Sequence, residues 1–142
     1  MSLTRSVDEV TQALVDFLEE QDVVPLKKVY YGDEERVPQT PSASVVVERE
    51  SEQQGSSLRT VHTFSASIFL YHGDVKNKEL TRRKCNQDAE KLEHLLNGNY
   101  LDGIVTMGLV TSLKPGYSAR TEEVLLKSTS ITWSATSRTV GK

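Results

Sequence analysis

Residues 58–71 read Leu58-Arg59-Thr60-Val61-His62-Thr63-Phe64-Ser65-Ala66-Ser67-Ile68-Phe69-Leu70-Tyr71, and this stretch decides the fold. Its even positions (Leu58, Thr60, His62, Phe64, Ala66, Ile68, Leu70) are mainly apolar, while Arg59, Thr63, Ser65 and Ser67 alternate with them. A side-chain period of two marks a strand with one buried and one wetted face. Upstream, Val45, Val46 and Val47 centre a second strand over 43–50. Between the two, Ser51-Glu52-Gln53-Gln54-Gly55-Ser56-Ser57 is polar and turn-like. The pair reads as a long hairpin with a mobile tip.

Outward from the hairpin, helical periods replace the period of two. Ser6 and Glu9 have the spacing of a capping box, and Val7, Val10, Leu14, Phe17 and Leu18 follow at helical intervals. The exit lies over 22–25, because Pro25 cannot continue a helix. Residues 27–31 form a short β-prone run ending at Gly32, and an acidic loop braced by Pro38 and Pro41 leads back to the hairpin. After Gly73 and Asp74 a second helix is expected over 77–96. Its one-sided stripe is Thr81, Cys85, Asp88/Ala89, Leu92, Leu95 and Leu96, with Asn97-Gly98 as the left-handed stop. A strand over 104–113, a turn at Lys114-Pro115-Gly116-Tyr117 and a Ser/Thr-rich strand over 123–136 complete the chain. The expectation is an α+β domain spanning 1–142, ordered α-β-β-β-α-β-β, mostly antiparallel, with both helices on one sheet face. Residues 1–5 and 140–142 are expected to be flexible.

Composition narrows the class. The 142 residues are 37% hydrophobic and 26% charged, which excludes disordered, collagen-like and membrane-spanning chains. Cys85 is the single cysteine, so no internal disulfide forms and no Cys-rich metal module exists. No apolar run approaches a membrane span and no leader pattern is visible at the start, so a soluble, cytoplasmic domain is expected. The net charge of −3 is uneven: residues 1–54 sum to −7 and residues 55–142 to +4. One compact domain can mix such charges. An oligomer can also use them, acidic face against basic face, to fix register.

No residue pattern supplies an active site. His62, His72 and His94 lack metal-ligand spacing, and His62 is expected to be a satisfied, partly buried imidazole. Arg82, Arg83 and Lys84 stand beside Cys85 and would lower a thiol pKa, but a small buried hydrophobe is its expected role. Phosphate loops and nucleophile elbows are absent. Adjacent carboxylates such as Asp33, Glu34 and Glu35 point apart on a loop and share no dry pocket. The basic run Lys76, Lys78, Arg82, Arg83, Lys84 has no interleaved aromatic on which bases would stack. Neither an enzyme nor a cofactor or metal site is expected.

The order of elements is recognisable as a whole. Val29-Tyr30-Tyr31-Gly32, the Pro38/Pro41 loop, the valine strand and Ile68-Phe69-Leu70-Tyr71 come first. The segment Asn97-Gly98-Asn99-Tyr100-Leu101-Asp102-Gly103 and Pro115-Gly116-Tyr117 follow. Over about residues 7–136 this resembles the tail-completion proteins of long-tailed bacteriophages, the tail terminators and related neck proteins. The resemblance implies a structural virion protein of a phage or prophage, a protomer of a hexameric ring that caps the tail tube and forms the head–tail joint. Its partners would be further copies of itself, the tail-tube protein and a neck or head-completion protein. DNA would pass through the lumen without specific binding, and no membrane would be involved. Such a protein resides in the virion neck, and in the host cytoplasm during assembly. The alternatives are a head-completion or adaptor protein of the same neck, and a monomeric binding module. Within a ring, Asp33, Glu34 and Glu35 of one subunit are expected to meet Arg82, Arg83 and Lys84 of the next, and residues 51–57 to dock on the tail tube.

Overall fold

The computed structural model describes residues 6–32, 41–53, 59–74, 78–99, 101, 105, 108–120 and 125–140. The elements are α1 (Val7–Glu20), β1 (Lys28–Tyr31), β2 (Ser42–Gln53), β3 (Arg59–Asp74), α2 (Lys78–Leu96), β4 (Leu109–Arg120) and β5 (Leu125–Val140). They make an α+β fold on a sheet of order β1-β2-β3-β5-β4, with β1 parallel to β2 and the other pairs antiparallel.

α1 begins as its sequence dictates. Glu9 N donates to Ser6 Oγ at 3.0 Å and Ser6 N donates to Glu9 Oε1 at 3.3 Å, satisfying two otherwise orphaned amides. At the other end Gln21 Nε2 donates to the carbonyls of Leu18 and Val24, and Gln21 Oε1 accepts from Val24 N, so one side chain closes the exit turn. Tyr31 OH donates to Asp8 Oδ1, tying β1 to the first turn of α1.

Pairing Val45 with Ile68 and Ile68 with Ile131 puts the inward positions of three strands on one face. On that face Val45, Phe64, Ile68, Leu70, Ile131 and Trp133 are fully buried. α1 covers β1, β2 and the near side of β3; α2 covers β3, β5 and β4. Val10, Leu14 and Leu18 come down from one helix, and Cys85, Ala89, Leu92 and Leu96 from the other. Each fully buried Leu, Ile, Val or Phe side chain contributes about 1.5–3 kcal/mol, so this layer is the main source of stability.

The strands outrun the helices. β3 and β5 have 16 residues each, α2 has 19 and α1 has 14. At ~3.3 Å per strand residue and ~1.5 Å per helix residue, a sheet roughly 50 Å long lies beneath helices of about 29 and 21 Å. From Glu48 to Ser51 the side chains of β2 are all exposed.

Several boundaries differ from expectation. Pairing of β2 with β3 continues through Ser51↔His62, Glu52↔Val61 and Gln53↔Thr60, so the first part of the expected turn is strand. Residues 114–117 are not a turn but the middle of β4, with Pro115 opposite Thr129 and Gly116 opposite Ser128. β4 is an edge strand, where the N–H that proline lacks is not needed for a second neighbour. The strand expected from residue 104 begins at Leu109. Before it, Gly98 and Leu101 take positive φ, and Gly98 N donates to Gly108 O at 2.7 Å, so the chain turns compactly after α2. At the C-terminal end β5 keeps its pairing to Val140, opposite Arg59.

Candidate functional site

Three regions bear on function. The first is the far end of the hairpin. Ser51, Glu52 and Gln53 of the expected docking segment belong to β2, while Gln54, Gly55, Ser56 and Ser57 lie outside the described residues. Exposed Ser51 Oγ sits 2.6 Å from Nδ1 of His62, which is buried. Burial and then the charge of Arg49 push the His62 pKa below its ordinary value, because neither tolerates a second proton on the ring. A neutral imidazole thus anchors the last paired serine before the tip.

The second region is the sheet face turned away from the helices. Across it Val46, Ser67 and Thr132 share one row, and Ser44, Phe69 and Ser130 another. Ser112 Oγ donates to Thr132 Oγ1 at 3.2 Å, and Ser44 Oγ and Tyr71 OH are hydrogen-bonded at 3.1 Å. Val46, Ser67, Phe69, Ser112, Ser130 and Thr132 are half-buried there, and Ser44 and Tyr71 are buried.

Between the end of β3 and the first half of α2 lies the third region, an open cavity of about 650 Å³. His72 in its wall places Nε2 2.8 Å from Oδ2 of Asp88, and both residues are nearly inaccessible, at 5% and 1%. A carboxylate taken out of water needs a partner, and His72 supplies it. Lys84 Nζ, on the rim, stands 3.8 Å from Asp88 Oδ1. His72 Nδ1 is buried with no hydrogen-bond partner, and so is Asp88 Oδ1. The pair is only partly satisfied.

The expected interface residues are thereby divided. Arg83 Nη2 donates to Glu79 Oε1 at 2.7 Å on the exposed side of α2, and Lys84 leans toward the buried Asp88. Arg82 is half-buried on the same helix. Asp33, Glu34 and Glu35 lie outside the described residues. Cys85 is fully buried in the core. Among the described residues, no group of three or more His, Cys, Asp or Glu is arranged to hold a metal ion.

Sequence reasoning missed the His72–Asp88 pair, although two signals pointed to it. His72 has the inward parity of Phe64, Ile68 and Leu70, and Asp88 interrupts the apolar stripe of α2. An inward histidine and an inward aspartate on adjacent elements are obliged to find one another. The fold is that of an α+β protein whose hydrophobic core lies between the sheet and its two helices. No family model matches the chain, and no curated protein matches it.

Proposed function

We propose that this protein is a structural virion component that caps the tail tube of a long-tailed phage or prophage and forms the head–tail joint as a homo-oligomeric ring. One observation carries the reading: the sheet is roughly twice as long as the helices that cover it. A monomer gains little from ordering the run from Glu48 to Ser51, whose side chains are exposed, since fixing each backbone residue costs about 1–2 kcal/mol. Neighbouring copies or an underlying tube would recover that cost by covering the strands. The unpaired outer side of β4 is a further place for a neighbour, and Pro115 limits indiscriminate pairing along it. Tail-tube and neck proteins are the partners, and DNA traverses the lumen without being held.

The test has two parts. Light scattering after size exclusion is expected to give a mass near a small multiple of 15.9 kDa, six being the multiple the ring requires. Co-expression with the tail-tube protein of the same genome should yield tubes with one blunt, capped end in negative-stain images. Monomers throughout, with tubes unchanged in length and ending, would sink the reading.

A further inference from the structure

We propose that the open edge of β2 over residues 47–52 pairs with the outer edge of β4, residues 112–117, in a second copy of this chain, so that neighbouring subunits share one continuous sheet. This contact rests on the ring reading above and names the surfaces that would close the ring. β1 runs beside β2 only as far as Tyr31↔Val45. Beyond that point β2 has β3 on one side and, among the described residues, no strand on the other. Glu48 to Ser51 are exposed there. Along a strand, the backbone groups of alternate residues point to the same side. Val45 O accepts from Gly32 N at 2.8 Å on the β1 side, so Val47 and Ser51 turn their N–H and C=O groups to the open edge. β4 is the opposite edge of the sheet. Its start is occupied, since Val110 N donates to Asn97 Oδ1 at 2.6 Å. Further along, Pro115 has no N–H to give and fits only with its nitrogen turned away from β5, which leaves Leu113 and Tyr117 facing out beside it.

Direction, face and charge each select this partner. The antiparallel pairs between them leave β2 and β4 running oppositely, so copies related by an axis along the strands meet antiparallel, as β2, β3, β5 and β4 already do. Opposing Ser51 with Leu113 and Val47 with Tyr117 brings outward-facing amides together and stays between the two bulges of β4. Val47 and Leu113 both belong to the helix-covered face, so the helices of both copies stay on one side of the shared sheet. The same register sets Glu50 opposite Lys114, both exposed and both on the other face. Residues 46–53 carry Glu48, Arg49, Glu50 and Glu52, net −2; residues 112–120 carry Lys114 and Arg120 and no acid, net +2. A charged edge ordinarily guards a sheet against pairing. Here the two edges have opposite signs, so like edges repel while each copy offers one acidic and one basic edge. Head-to-tail contacts of this kind close into a ring where the rotation permits.

Disulfide trapping in the full chain tests the contact. Glu50 and Lys114 would form a non-hydrogen-bonded pair, whose Cα atoms lie about 4.5 Å apart, within the range a disulfide spans. Glu50→Cys and Lys114→Cys chains, mixed at low salt and oxidised, should give a covalent dimer on a non-reducing gel, and neither chain alone should. The parent, which has only the buried Cys85, is the control. Light scattering is run on the same samples before oxidation. Assembled protein without the mixed cross-link would overturn the edge pairing and leave the ring reading standing; monomers throughout would overturn both. A dimer from Lys114→Cys alone would mean that β4 meets β4, which also overturns the pairing. Charge exchange is the second arm. Glu50→Lys and Lys114→Glu should each raise the concentration for half-assembly at least about threefold, and the chain carrying both should return toward the parent. Additive loss in that exchanged chain, with circular dichroism showing it folded, would overturn the pairing as well.

Discussion

Gly108 lies flat against the indole of Trp133: a Cβ built on it would fall 2.2 Å from Cε2 and from Nε1. Trp133 is fully buried at the centre of β5, and its ring has no free space into which it can retreat. The contact lets the chain turn close over the sheet, with Gly108 N donating to Asn99 O at 2.8 Å and Val110 N donating to Asn97 Oδ1 at 2.6 Å. Gly108→Ala should therefore destabilise the protein by about 1–3 kcal/mol, the usual cost of overpacking a filled core. Urea unfolding followed by Trp133 fluorescence reads it directly. A midpoint within error of the parent would mean that the indole yields.

The His72–Asp88 pair calls for a different experiment. Removing one member of a buried pair strands the other, at about 3–5 kcal/mol, whereas replacing both with apolar residues is often neutral. His72→Leu should thus be severely destabilising, because Lys84 at 3.8 Å only partly compensates Asp88. The double variant His72→Leu/Asp88→Leu should recover most of the loss. If the double variant is as unstable as the sum of the two singles, the pair is not the reason for the effect.

These two contacts differ in how far the sequence announces them. The period of two across 58–71 exposes β3, and Ser6 with Glu9 exposes the start of α1, because both signals are local. Punctuation at 114–117 misleads for a physical reason: proline breaks a strand where its missing N–H would have to pair, and β4 is an edge that leaves one side of the chain unpaired. Trp133 shows its burial by parity with Ile131, yet nothing local says that Gly108, across a turn, is what faces it. The cavity is also non-local, since it needs the end of β3 beside the first turns of α2. Of the residues expected at a subunit interface, Arg83 pairs with exposed Glu79 and Lys84 leans toward Asp88, a buried residue that charge counting could not locate.

His62 gives the stability a pH dependence of definite sign. Burial and Arg49 lower its folded pKa, so below the ordinary histidine value of about 6.5 the unfolded chain binds the extra proton first. The stabilisation is therefore complete above that pH and is lost as the pH falls toward the folded value. Urea midpoints measured between about pH 7.5 and pH 5 should decline more steeply for the parent than for His62→Gln. Parallel declines would show that His62 does not carry the effect.

If the ring reading holds, its charge contacts should be weak one by one and salt-sensitive together. Arg83 is exposed and already paired with Glu79, and Arg82 and Lys84 flank it on α2. Exposed ion pairs contribute about 0–1 kcal/mol each, so an interface using this patch needs several of them acting at once. Sodium chloride raised from about 0.05 to 0.5 M shortens the screening length severalfold and should shift assembled protein toward smaller species. Arg82→Glu/Arg83→Glu should mimic that shift at low salt, since it reverses two charges and adds a repulsion between position 83 and Glu79. That intrahelical repulsion costs only about 0.2–0.5 kcal/mol, too little to unfold a domain, and circular dichroism checks that the fold survives. A folded double variant that assembles as well as the parent at every salt concentration would remove this face of α2 from the interface.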